Sequence, residues 1–142
     1  MTIHATAVAI GSGTSRHAVL LTGPSGTGKS DLALRLIDRG AMLIADDRVA
    51  LSRDGACVLA SPPPTLAGLI EVRGIGIVAM PYIADVPIAL VIDLAGTPDR
   101  LPEPATRDLL GVAIRVVVLA AFEASAPLKV ERALTASGGG VD

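Results

Sequence analysis

Apolar positions in this chain come mostly as short continuous runs punctuated by Gly, Pro, Asp and Ser, the pattern of buried strands joined by tight turns. Thr6 to Ile10 and Ala18 to Leu21 read as two strands, and the turn Gly11-Ser12-Gly13-Thr14-Ser15 between them makes a hairpin. From Asp31 to Arg39 the period changes. Leu32, Ala33, Leu36 and Ile37 share one face and Asp31, Arg35, Asp38 and Arg39 the other, so a helix is predicted, with Gly40 as its C-terminal cap. Asp31 at the helix start pairs favourably with Arg35 four residues on.

Ala41 to Ala45 is a strand that delivers Asp46-Asp47 at its carboxyl end. Arg48 to Ser52 and Ala56 to Ala60 flank Asp54-Gly55, a dipeptide typical of hairpin turns. Pro62-Pro63-Pro64 forbids regular pairing and starts a short helix at Thr65-Leu66. Leu69 to Val78 is apolar but interrupted by Glu71, Arg73, Gly74 and Gly76, and Val86 to Leu94 is a buried strand. Pro98 to Pro104 is a polar excursion, expected to be mobile. Arg115 to Ala120 is the last core strand, and a helix is predicted over Pro127 to Ala136. No repeat or linker divides the chain, so residues 1–136 are read as one α/β domain with a mixed sheet and flanking helices. The tail 137–142, three glycines among small residues, is expected to be disordered.

Composition narrows the class. At 142 residues and 51% hydrophobic content the chain can build a real core, yet it holds one Phe and one Tyr, so that core is aliphatic. Few aromatics and a net charge of −2 argue against a nucleic-acid partner, which needs stacking platforms or a basic field. The longest apolar stretch, Gly74 to Ile92, contains Asp85, Pro81 and Pro87 and reads as two strands and a turn, so no membrane role is expected. Met1-Thr2-Ile3-His4 lacks the basic region of a secretory signal, and a soluble cytoplasmic protein is expected. The single cysteine, Cys57, is assigned to the core.

Candidate chemistry centres on Gly23-Pro24-Ser25-Gly26-Thr27-Gly28-Lys29-Ser30, a complete G-x-x-x-x-G-K-[ST] loop placed between a strand and a helix, as such a loop requires. Glycines let successive backbone N–H groups turn inward on a phosphate chain, and the helix N-terminus adds its unpaired donors. Lys29 is positioned for the β- and γ-phosphates and Ser30 for Mg²⁺, which makes Mg-ATP or Mg-GTP the expected ligand. Two acidic strand ends compete for the metal side: Asp93, closing Ala89-Leu90-Val91-Ile92, and the Asp46/Asp47 pair; either also reads as a turn cap. Glu71 and Arg73, on one side of an extended segment, read either as a structural ion pair or as a metal ligand beside a phosphate-reading arginine.

The loop, then Leu43-Ile44-Ala45-Asp46-Asp47, then Leu69-Ile70-Glu71-Val72-Arg73-Gly74-Ile75-Gly76, in this order and spacing, resembles the C-terminal catalytic domain of HPr kinase/phosphorylase. The resemblance covers roughly Ile3 to Leu110. It implies a P-loop kinase core that moves the γ-phosphoryl of ATP to a serine of the phosphocarrier HPr, in sugar phosphotransferase regulation, and in some members removes it by phosphorolysis. It implies further that the loop and Lys29 hold ATP, that Ser30 and Glu71 bind Mg²⁺, and that Asp46 takes the proton of the attacking hydroxyl with Asp47 as a neighbouring carboxylate. Arg73 and His4 belong to the same site by this resemblance, His4 through the segment Ile3 to Ile10. Family members assemble as hexamers, so a homo-oligomer is expected. The usual enzyme carries an N-terminal domain, and this chain resembles the short form without one. The family's basic segment after the last core strand is replaced here by Leu119 to Ser125, which holds no arginine and predicts weak phosphorolysis; Arg100, Arg107 and Arg115 are the candidate substitutes.

Overall fold

The structure, a computed structural model, describes residues 1–136, so the tail at 137–142 lies outside the described residues. Eleven strands and two main helices run in chain order: β1 (Thr2–His4), β2 (Thr6–Ile10), β3 (His17–Thr22), α1 (Lys29–Asp38), β4 (Met42–Ala45), β5 (Arg48–Asp54), β6 (Cys57–Ser61), β7 (Leu69–Val72), β8 (Gly76–Ala79), β9 (Val86–Asp93), β10 (Ala105–Leu109), β11 (Val112–Val118) and α2 (Ala126–Ala136). Nine strands form one sheet in the order β1-β5-β6-β9-β3-β2-β4, with the β10–β11 hairpin added to β9 through β11. β3 and β11 run parallel to β9, and every other pair in the sheet is antiparallel. The expected mixed α/β architecture is therefore the one observed.

The sheet has two apolar faces, and strand alternation sorts residues between them. Val19 and Leu21 of β3 pack with Leu32 and Leu36 of α1 and Val130 and Leu134 of α2, whereas Ala18 and Leu20 point to the opposite face. On that face the sheet curls over itself, and the lining is rich in Ala5, Ala7, Ala9, Ala45 and Ala60. Small side chains let the layers close there, while the branched residues fill the space under the helices.

One ribbon makes the corner that matters for function. β2 pairs with β4, but after Ala5 on one strand and Asp46-Asp47 on the other the ribbon continues as β1 paired with β5, with His4 opposite Arg48. Arg48 N donates to Asp46 O at 2.8 Å across Asp47, whose φ of 69° makes this a tight γ-turn of the strained kind. Ala5 N donates to Asp47 O at 3.2 Å and ties the two strands at the bend.

Several expectations are corrected in detail. α1 begins at Lys29, two residues earlier than its apolar period, because Gly28 takes the N-cap position. The β5–β6 turn is Gly55-Ala56, not Asp54-Gly55, since Asp54 pairs with Cys57 and Gly55 takes φ 59° at the first central position. That register turns Val58 and Ala60 inward and leaves Cys57 exposed, so it is not a core residue. The Leu69 to Val78 segment is the β7–β8 hairpin, a separate two-stranded sheet turning through 73–75. β1 and β10 were not visible as strands in the pattern; β10 is almost wholly exposed.

Candidate active site

The glycine-rich loop joins the buried strand β3 to α1. Gly23, Gly26 and Gly28 have φ values of 145°, 90° and 94°, a conformation that side chains rarely adopt. Lys29 is 7% exposed and folds back over the loop, its Nζ donating to Gly23 O at 2.7 Å and to Pro24 O at 3.1 Å. These are exchangeable partners: the ammonium lies inside the loop, ready to trade carbonyl oxygens for phosphate oxygens.

Asp46 is the hub of the site. It is 9% exposed, and its Oδ1 accepts from Ser30 Oγ at 2.6 Å and Thr6 Oγ1 at 2.8 Å, while its Oδ2 accepts from Glu71 N at 2.9 Å. One carboxylate thus ties together β4, the corner at β2, the start of α1 and the β7–β8 hairpin. Asp47 faces the other way. Its Oδ1 lies 2.9 Å from His4 Nε2, with the Asp47 side chain 68% exposed. The Thr6 hydroxyl links the neighbours, since Asp47 N donates to it at 3.4 Å.

A cleft of about 570 Å³ opens over these groups, lined by Lys29, Ser30, Asp46, Asp47, Glu71 and Arg73. Ser25, Gly26 and Gly28 of the loop and Thr6 border it too, as do Asp31, Leu34, Val72 and Phe122. The side chains of Glu71 and Arg73 form no ion pair with each other, so the structural-pair reading of these two is not what is seen. Pro24 and Thr27 shape the loop, Thr27 Oγ1 donating to Pro24 O at 2.7 Å.

A second cavity of about 470 Å³ lies against Gly23 and Pro24 and contains His4, Thr22, Asp93 and Arg107. Asp93 lines this cavity and not the cleft over Ser30 and Asp46, and its Oδ1 accepts from Ala95 N at 2.8 Å, which is the turn-capping role. Of the three arginines weighed as substitutes, Arg107 alone borders a cavity at the loop; Arg115 donates to Ala133 O on α2 at 3.4 Å. Sequence reasoning missed Thr6, Leu34, Val72 and Phe122. Thr6 carried no signal beyond being a polar residue in an apolar strand.

No three His, Cys, Asp or Glu side chains gather as a metal cage among the described residues. The oxygen donors Ser30 Oγ, Asp46 and Glu71 nevertheless suit Mg²⁺, which keeps several waters and takes few protein ligands when phosphates share its shell. The loop fits a phosphate chain by the same test, with its inward-turned glycines and its enclosed ammonium.

The family profile for the HPr serine kinase C-terminal domain matches residues 2–119. The chain belongs to that family. The HPr kinase/phosphorylase of Bordetella pertussis is 41% identical over 115 residues, covering 71% of this chain and 37% of that protein. The enzyme of the same description from Lacticaseibacillus casei (strain BL23) is 42% identical over 91 residues, covering 58% of this chain and 28% of it. The chain thus spans roughly a third of the length of these curated relatives. Among solved structures, the HPr(Ser) kinase/phosphatase from Coxiella burnetii superposes with a TM-score of 0.80 at 28% identity, over 96% of this chain and 89% of that one. Family membership and fold agree with the resemblance drawn from the loop, the Ala-Asp-Asp strand end and the Glu-x-Arg-Gly-x-Gly segment.

Proposed function

We propose that this chain is a Mg-ATP-dependent protein serine kinase that phosphorylates HPr or a related phosphocarrier and so regulates sugar phosphotransferase metabolism. The observation that carries this reading is Asp46, which joins the Ser30 hydroxyl to the Glu71 main chain at the mouth of the loop. Bound Mg-ATP supplies the transferable phosphoryl group and neutralises charge as it moves. The loop amides and Lys29 hold the phosphates. Ser30 and Glu71 provide the oxygens for the metal.

Asp46 has the further task of receiving a proton. A serine hydroxyl is a weak nucleophile, and transfer is eased when a carboxylate within hydrogen-bond reach accepts its proton as the bond to phosphorus forms. Oδ2 of Asp46 accepts one backbone N–H and retains lone-pair capacity for that proton. Asp47 and Arg73 border the approach of the acceptor and its phosphate, and His4 is held to Asp47 at 2.9 Å. Family resemblance supports a cytoplasmic homo-oligomer, a hexamer, as the working form. Among the described residues, no helix is long and apolar enough to cross a membrane. The kinase direction is favoured because the segment Leu119 to Ser125 supplies no arginine for phosphorolysis.

Incubation with γ-labelled ATP, Mg²⁺ and purified HPr tests the proposal. Label is expected on an HPr serine, and none with Lys29→Ala. A protein that binds ATP yet leaves HPr unlabelled is an ATP-sensing regulator, not this kinase.

A further inference from the structure

We propose that Phe122 is the platform on which the nucleobase of the bound nucleotide lies. The inference rests on the proposed binding of a nucleoside triphosphate at the loop and locates the opposite end of that ligand.

Phe122 is the single Phe of the chain and stays 70% exposed although the core is otherwise aliphatic. Its main chain is nonetheless clamped. Arg35, paired with Asp31 on α1, donates from Nη2 to Ala121 O and from Nη1 to Glu123 O at 3.2 Å, the two carbonyls that flank the residue. Lys129 holds the Glu123 carboxylate at 2.7 Å, and Ala121 itself is buried. A ring left in water on a fixed backbone forfeits its own burial energy but loses little freedom when a flat partner covers it.

The position of the ring selects the partner. Phe122 lies against Gly28, the last glycine of the loop: a Cβ added there would come within 2.9 Å of Phe122 Cζ and 2.9 Å of Ala121 Cβ. The polar lining of the cleft, Lys29, Asp46, Glu71 and Arg73, is matched to the terminal phosphates and their metal. The large apolar side chains of the lining are Leu34, Val72 and Phe122, and Phe122 supplies its only aromatic face. The nucleoside end of the ligand has its apolar surface here, and every nucleobase offers a face to stack.

Titration calorimetry with two ligands, Mg-ATP and Mg-tripolyphosphate, tests the assignment on wild type, Phe122→Ala and Phe122→Trp. Phe122→Ala is expected to weaken ATP about 5- to 10-fold, at the lower end for base–aromatic stacking, while tripolyphosphate binds as before. Phe122→Trp is expected to restore ATP affinity. Because the chain has no other Trp, the fluorescence of that variant should be quenched by ATP and not by tripolyphosphate. Equal weakening of both ligands overturns the proposal and makes Phe122 a prop for the loop through Gly28. Unchanged ATP affinity with impaired HPr phosphorylation also overturns it, and assigns the ring to the acceptor protein. Wild type that binds neither ligand removes the reading of the loop, and this inference with it.

Discussion

Asp46 and Asp47 are adjacent in sequence and opposite in circumstance. Asp46 is buried under three donors from three different elements, while Asp47 stands in solvent against a single histidine. The cause is the corner of the β2–β4 ribbon. The γ-turn at Asp47 sends its carboxylate to the β1 side, where His4 waits, and leaves Asp46 on the β2 side with Thr6. Strain held at one residue thus separates two chemically identical groups, giving one a fixed place beside the loop and leaving the other in solvent. Identical side chains acquire different surroundings from one turn.

The largest expected effect comes from Asp46→Asn, which should lower HPr phosphorylation about 10²- to 10⁴-fold, the range for losing a positioned proton acceptor. If its amide oxygen takes the place of Oδ1, its NH₂ group faces the Glu71 N–H, donor against donor, and denaturant unfolding should show a loss of about 1–3 kcal/mol. Asp47→Asn tests the other half of the contrast. Because that carboxylate is exposed, its loss should be no more than about a tenth as severe in rate as that of Asp46, with no measurable change in stability. Reversal of this order would transfer the proton-accepting task to the His4–Asp47 pair.

Thr6→Val sharpens the contrast from the apolar side, since it removes a buried hydroxyl that donates to Asp46 without changing the size of the residue. A hydrogen bond to a charged group is worth about 1.5–3 kcal/mol, and a stability loss of that order is expected from urea unfolding. The smallest effect should follow Cys57→Ser, within about 0.5 kcal/mol, because that side chain faces water.

How far the chain could be read before its structure differs from one region to another. The loop and both acidic strand ends were legible because each combines a fixed chemical pattern with an apolar run, and β2 came out at Thr6–Ile10 as expected. The corner was not. A positive φ at Asp47 carries no glycine to announce it, and β1 is too short to show an alternation. Thr6 in a strand of Ala, Val and Ile looks like a tolerated polar residue until the fold places Asp46 beside it. β10 escaped because Arg107 and Asp108 break its apolar pattern on an exposed edge. Nothing in the pattern marked Phe122, and only the packing of its segment on α1 sets the exposed ring beside the loop.

The decisive measurement is a structure of the chain with Mg²⁺ and a non-hydrolysable ATP analogue. The metal is expected on Ser30 Oγ at roughly 2.1 Å and the terminal phosphorus about 5–6 Å from the Asp46 carboxylate, leaving room for one serine oxygen between them. A triphosphate lying instead in the second cavity, with its terminal group toward Asp93, would contradict it.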